Sequence, residues 1–237
     1  MKQDRHPRIP RPIGLRKTVQ EQVYGQLRDA LIAGAFEAGE SFTIAALADR
    51  FQTSHMPVRE ALRRLAAENA LHISTAGTAY VPRITHEELV DLTRARVVVE
   101  GTAAELAAAR MGPTDIALME GLIARHEATG VSGETREMVE VNRAFHFHVY
   151  ARAESPVLMS LIGNLWLRLG PYVRYLSDQM GELLQTDYAH SIARHHIEMV
   201  AALRAGDPPA FRAAMERDIR STSDLLVEFL ISEGGGA

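Results

Sequence analysis

Residues 55–70 read HMPVREALRRLAAENA. On a helix that turns about 100° per residue, Val58, Leu62 and Leu65 gather on one side and belong in a core, while His55, Met56, Arg59 and Arg63 gather roughly opposite. Pro57 falls in the first turn, where its missing N–H is harmless, and Ser54 can cap the helix. A helix N-terminus that presents cations and donors in this way suits the major groove of DNA. Arg59 can meet a guanine edge or a phosphate, Met56 a thymine methyl, and the Ser54 hydroxyl a phosphate. Taken alone, the segment reads better as one arm of a helical hairpin with a solvated basic face, so its neighbours decide.

Upstream, Val19, Val23, Leu27 and Leu31 recur every four residues and mark one apolar helix face. Gly34 stops that helix, GAFEAGE (34–40) reads as a loop, and Thr43 can cap a short second helix, IAALADRF (44–51). Downstream, LHIS (71–74) and TAYVP (78–82) flank TAG and form a small hairpin, with Gly77 allowing the tight turn. Three helices and a hairpin over residues 18–82 make a winged helix-turn-helix pattern.

Past residue 83 there is no strand signal. Periodicity predicts helices over roughly 86–110, 114–129, 134–152, 156–177, 181–205 and 208–231, broken at MGPTD, TGVSGE, AESP, SDQMGE and AGDPP. Pro171 is expected to kink the fourth. The fold class is therefore mainly α, with the winged reader followed by an all-α six-helix bundle over 83–231. Residues 1–17 form a basic, proline-containing flexible arm, and 232–237 a frayed tail.

The chain of 237 residues has no cysteine, which excludes disulfides, thiolate zinc sites and cysteine nucleophiles. No apolar run reaches bilayer length and the N-terminus lacks the apolar core of a secretory signal, which together fit a cytoplasmic protein without a membrane partner. The net charge of −4 hides an asymmetry. Residues 1–82 carry 11 Lys/Arg against 8 Asp/Glu (+3), and the remainder 15 against 22 (−7). A basic N-terminal part on an acidic body points to an anionic partner for the former.

One polar segment of the bundle, NRAFHFH (142–148), carries candidate ligands. Asn142 and His146 are four residues apart and share a helix face, whereas His148 lies about 200° from His146 and cannot join them. From the residues alone, such a pair is more often packing or surface than metal-binding.

MPVREALRRLAAENAL followed by GTAYV, with AGAFEAGESFTIAALADRF before it, resembles the GntR family of bacterial transcription regulators. The resemblance implies that Ser54, His55, Met56 and Arg59 contact an operator in double-stranded DNA, with Arg63 on the same face and Gly77 and Thr78 at the wing tip. The chain departs from the family's frequent residues at His55-Met56 (often Arg-Thr), Ala45 (often Arg) and Asn69 (often Gly). DLTRARVVVEGTAAELAA, VNRAFHFHVY and HHIEMVAALRAGDPPAFRAAMERDI resemble the FadR C-terminal domain. For that domain's metal-binding subgroup the resemblance implies Asn142, His146, His196 and Asp218 as ligands, Asp218 standing where a histidine is usual. Zinc suits such a set, and nickel or manganese also fit. His190 and His195 read as surface residues.

The resemblance further implies a small organic acid as effector, gripped by Arg96, for which the alternative is a salt bridge to Glu100 one turn on. Tyr172 and Tyr175, beside Pro171, can line the same cavity or serve as core. The implied protein is a homodimer on a palindromic operator, most simply a repressor released by its effector. Two other readings remain open: the same regulator with a metal-free pocket, and a metal-dependent hydrolase on the bundle, which would need a general base and would leave the reader unexplained.

Overall fold

A computed structural model describes residues 18–75, 77–184 and 193–234; the basic arm and the end of the tail lie outside them. The reader opens with α1 (Val19–Ile32), held by a capping box in which Thr18 Oγ1 accepts from the Glu21 N–H at 3.2 Å and the Glu21 carboxylate accepts from the Thr18 N–H at 2.7 Å. Val23, Leu27 and Leu31 are buried, but Val19 is 50 % exposed, so the predicted stripe enters the core only from its second turn. Thr43 caps α2 (Ile44–Phe51) through the Ala46 N–H at 3.1 Å. In α3 (His55–Ala67) Ser54 holds the N-cap position but its hydroxyl makes no capping bond, contrary to expectation. The hydroxyl is thereby left for another acceptor or donor. Asn69 ends this unit with φ 57°, a left-handed conformation that Asn tolerates better than other side-chain-bearing residues.

The hairpin pairs β2 (His72–Ile73) with β3 (Ala79–Tyr80), His72 opposite Tyr80 and Ile73 opposite Ala79. A third strand, β1 (Ser41–Phe42), adds to the other edge of β3 and was not anticipated. Two residues are too few to show an alternating pattern; only pairing with β3 makes them a strand. At the wing tip Gly77 takes φ 83°, and its N–H donates to the Ser74 carbonyl at 2.9 Å.

The bundle comprises α4 (His86–Ala108), α5 (Pro113–Ser132), α6 (Thr135–Arg152), α7 (Pro156–Leu183), α8 (Arg194–Ala205) and α9 (Pro208–Gly234). α7 runs through the predicted break at 177–182 with Pro171 inside it; of the expected helix 181–205, α8 accounts for 194–205, and residues 185–192 lie outside the described residues. Met180 and Leu184 are buried against Met138 of α6, so tertiary packing carries the helix past Gly181. Residues 232–234, expected in the tail, belong to α9. α4 packs along α9, which also covers α8, and α5 covers α6.

Reader and bundle share one continuous hydrophobic cluster, which runs from Leu31 and Ile32 to Trp166 and Leu167. The junction is a close approach of α1 to α7. A Cβ at Gly170 would overlap the Leu31 carbonyl oxygen, and a Cβ at Gly34 (φ 65°) would lie 2.9 Å from the Arg174 nitrogen. These two positions need glycine for space, and at Gly34 also for backbone conformation.

Candidate functional site

On α3 the predicted core residues Val58 (0 %), Leu62 (2 %) and Leu65 (0 %) are sealed, while Ser54, His55, Met56, Arg59 and Arg63 are all exposed. Arg63 Nη1 pairs with Glu60 at 2.9 Å, an exposed bond that a phosphate can replace at small expense. Gly77 is exposed and Thr78 half-buried at the wing tip. The helix therefore presents one unbroken polar face, with Arg59 in the middle of its first turns. Arg59→Ala is expected to reduce specific operator binding by about 1–3 kcal/mol, or roughly 5- to 150-fold, while circular dichroism and thermal melting stay unchanged. Retained wild-type affinity in a gel-shift titration would refute the assignment.

In the bundle, α6, α8 and α9 bring His146, His196 and Asp218 together: one ligand atom from each lies within 4.8 Å of the others. His146 Nε2 is 3.1 Å from Asp218 Oδ2, and His196 Nε2 is 3.6 Å from Asp218 Oδ1. Asn142, one turn before His146, is half-buried and lines the same cavity of about 70 Å³ as Asp218, together with His126, Met138, Leu176 and Met180.

Tyr150, the next residue on the Asn142–His146 face, gives its one hydroxyl hydrogen to the buried Glu100 carboxylate. Its oxygen must then accept from His146 Nδ1, 3.0 Å away. That places the hydrogen of a neutral His146 on Nδ1 and turns the bare Nε2 lone pair toward the Asp218 carboxylate. His196 is 1 % exposed, stacked on Phe145 at 4.0 Å, and neither of its ring nitrogens has a hydrogen-bond partner. Burial drives its pKa down to about 3 against the pull of Asp218, so it too offers a lone pair. Burial raises the pKa of Asp218, and His196 and His146 more than offset that only when they carry protons, so the buried carboxylate is held as the anion only with positive charge alongside it. A buried carboxylate beside two buried imidazoles, one of them with both nitrogens unpartnered, is a donor set a cation would satisfy, and two imidazoles, a carboxylate and an amide oxygen are ligands that zinc accepts.

Behind His146 the chain of contacts continues through Tyr150 and Glu100 to Arg96, whose Nε and Nη2 donate to Glu100 at 2.7 and 3.2 Å. Arg96 is 5 % exposed and Glu100 fully buried. Burial works against the Arg96 charge, and Glu100 more than offsets it, leaving the guanidinium above its ordinary pKa. Of the two readings of Arg96, the structure holds the intrahelical pair. Tyr172, predicted beside the cavity, is instead a core residue packed with Leu89, Leu92 and Leu169, its hydroxyl donating to the Thr85 carbonyl at 3.0 Å. Tyr175 packs on the same cluster. A full turn or more along α7, Leu176 and Met180 take the place expected for them. His148 turns away as expected and meets Asp115, the α5 cap, at 3.0 Å. His195, expected at the surface, is half-buried with Nδ1 3.3 Å from Glu198; His190 lies outside the described residues.

Sequence reasoning overlooked His126 and Tyr150. A signal existed for both: His126 continues the buried Met119–Ile123 stripe of α5, and Tyr150 continues the Asn142–His146 spacing.

Residues 19–81 match the bacterial regulatory proteins of the gntR family, and residues 91–221, more than half the chain, match the FCD domain. The chain belongs to the GntR family of transcription regulators. The HTH-type transcriptional regulator McbR of Escherichia coli K12 is 30% identical over 207 residues, 87% of this chain and 92% of that protein. A probable D-xylose utilization operon transcriptional repressor of Paenarthrobacter nicotinovorans is 27% identical over 208 residues, 86% and 87% of the two chains. The solved structure of E. coli McbR/YncC superposes with a TM-score of 0.82 at 28% identity, over 91% of this chain and all of that one. This GntR protein is thus a DNA-binding regulator and not an enzyme, which sets aside the hydrolase reading. Among the described residues, no helix is long and apolar enough to cross a membrane.

Proposed function

We propose that this regulator binds a palindromic operator as a homodimer and that a small organic acid, held with a divalent cation in the bundle, controls that binding. The observation that carries the reading is the convergence of His146, His196 and Asp218, one ligand atom from each within 4.8 Å of the others in a buried setting. His146, His196 and Asp218 would hold the ion, with Asn142 at the cavity edge; zinc suits the donors, as do nickel and manganese. The ion would supply a positive anchor for a carboxylate. This chain's own residues do the rest: Tyr150 fixes the His146 ring, Leu176 and Met180 exclude water, and α7 links the cavity to the reader. That helix carries Leu176 and Met180 at one end and the Gly170 contact with α1 earlier along it. An acid that prefers one placement of α7 thereby changes the placement of the reader, and by linkage operator binding changes the acid's affinity equally. Release of DNA on binding the acid makes the protein a repressor.

Arg96 would reach the acid only by loosening its hold on Glu100, so Arg96 stands as a contact of the acid-bound state. Exposed apolar residues on the adjoining helices α4 (Val98, Leu106) and α7 (Val157, Leu161) support a two-fold interface.

A metal-free pocket has one observation in its favour: His146 Nε2 already lies 3.1 Å from Asp218, which a protonated His146 would bridge unaided. Metal analysis separates the two. Protein purified with supplementary zinc is expected to retain about one ion per chain, His196→Ala to lose it, and Tyr150→Phe to bind it roughly 10- to 100-fold more weakly because the His146 tautomer is no longer held. Metal content near zero in the wild type would leave the metal-free reading.

A further inference from the structure

His126 has no part in the ligand set above. It lies on α5, is 6 % exposed, and its Nδ1 has no hydrogen-bond partner. The preceding members of its buried stripe, Met119 and Ile123, are apolar, so packing alone does not call for an imidazole here. The ring stands 5.3 Å from that of His196 and forms part of the cavity wall with Asn142 and Asp218. His126 does not belong to the group whose ligand atoms converge within 4.8 Å, which is His146, His196 and Asp218. It faces the same space from beyond the ligands.

We propose that His126 hydrogen-bonds one oxygen of a short aliphatic carboxylate in this cavity, whose other oxygen faces the cation site. The proposal rests on the effector reading above and adds to it a contact and a size. The cavity of about 70 Å³ has room for on the order of five or six water-sized groups, which fits an acid of roughly two to four carbons. Met138, Leu176 and Met180 form an apolar wall for its alkyl end. Asp218 repels a carboxylate, so the acid needs both the cation and a second donor, and His126 is a buried nitrogen group free to supply it.

The test is isothermal calorimetry on the zinc-loaded full chain with acetate, propionate, butyrate and octanoate, in wild type, His126→Leu and His126→Gln. The expected result is binding of the short acids but not of octanoate, roughly 10- to 100-fold weaker binding in His126→Leu with zinc content unchanged, and partial recovery in His126→Gln. Equal affinity in His126→Leu overturns the proposal and leaves the effector reading standing. Loss of zinc in that variant also overturns it, making His126 a ligand. A zinc-loaded wild type that binds none of the short acids overturns proposal and effector reading together. Should His126→Leu fail to fold, the wild-type His126 ring resonances decide: they must shift on adding propionate, and unchanged resonances overturn the proposal.

Discussion

Arg96→Ala is expected to destabilise the folded chain by about 3–5 kcal/mol, measured by chemical denaturation. The magnitude follows from what is left behind. Glu100 is fully buried, and its carboxylate accepts two Arg96 bonds at 2.7 and 3.2 Å and one from the Tyr150 hydroxyl. Without the guanidinium, a single neutral donor faces a buried charge. Arg96 also lies 5.3 Å from the Trp166 ring centre, a contact that truncation removes. Arg96→Lys keeps the charge but cannot match both carboxylate oxygens, so an intermediate loss is expected. The double variant Arg96→Met with Glu100→Leu, which removes both charges, should recover most of the stability. A loss under 1 kcal/mol in Arg96→Ala would show that the Arg96–Glu100 pair contributes little to the fold. The result bears on function as well. A failed response to an acid in Arg96→Ala reports on an effector contact only when the variant's fold has been measured beside it.

Gly170→Ala is expected to separate the reader from the bundle. The added methyl would overlap the Leu31 carbonyl oxygen and lie 2.9 Å from its carbon, and backbone cannot swing aside as a side chain can. Overpacking of this kind costs about 3 kcal/mol if the interface stays shut; opening the α1–α7 seam relieves it. Because α3 is untouched, operator binding by the reader should persist, while any dependence of that binding on an acid or metal should fall away. Two alanines serve as controls. At Gly163 the new methyl would meet the Arg28 guanidinium, the far end of a flexible side chain, and the effect should be small. At Gly121, exposed within α5 with nothing within 4 Å, alanine should stabilise by about 0.5–1 kcal/mol. Limited proteolysis and small-angle scattering distinguish an opened from a closed molecule. A Gly170→Ala protein with wild-type compactness and stability would show that the seam yields without opening.

Much of the reader was legible in its residues, because each element there carries its own local signal. Val58, Leu62 and Leu65 mark a core face by period, Thr43 caps α2 by its chemistry, and Gly77 marks the turn between β2 and β3. β1 was not legible, since two residues become a strand only through the edge of β3 that they meet. In the bundle the period separated Asn142 and His146 from His148, and resemblance supplied His196 and Asp218. The structure brings His146 and His196 to Asp218, and places Asn142 on the cavity that Asp218 also lines.

What sequence alone determined, then, is what depends on near neighbours along the chain: helix faces, caps, turns and the charge of the α3 surface. Tertiary structure decided what depends on groups far apart in the chain. Glu100 of α4 takes the Tyr150 hydroxyl hydrogen and so selects the proton position on a neutral His146; Met138 carries α7 past Gly181; and Leu31 occupies the space at Gly170. Each of these is a question of which partner arrives first at a side chain or an empty volume. Helical period orients a residue without naming that partner, because the partner lies on another helix whose position is set by the packing of the whole core.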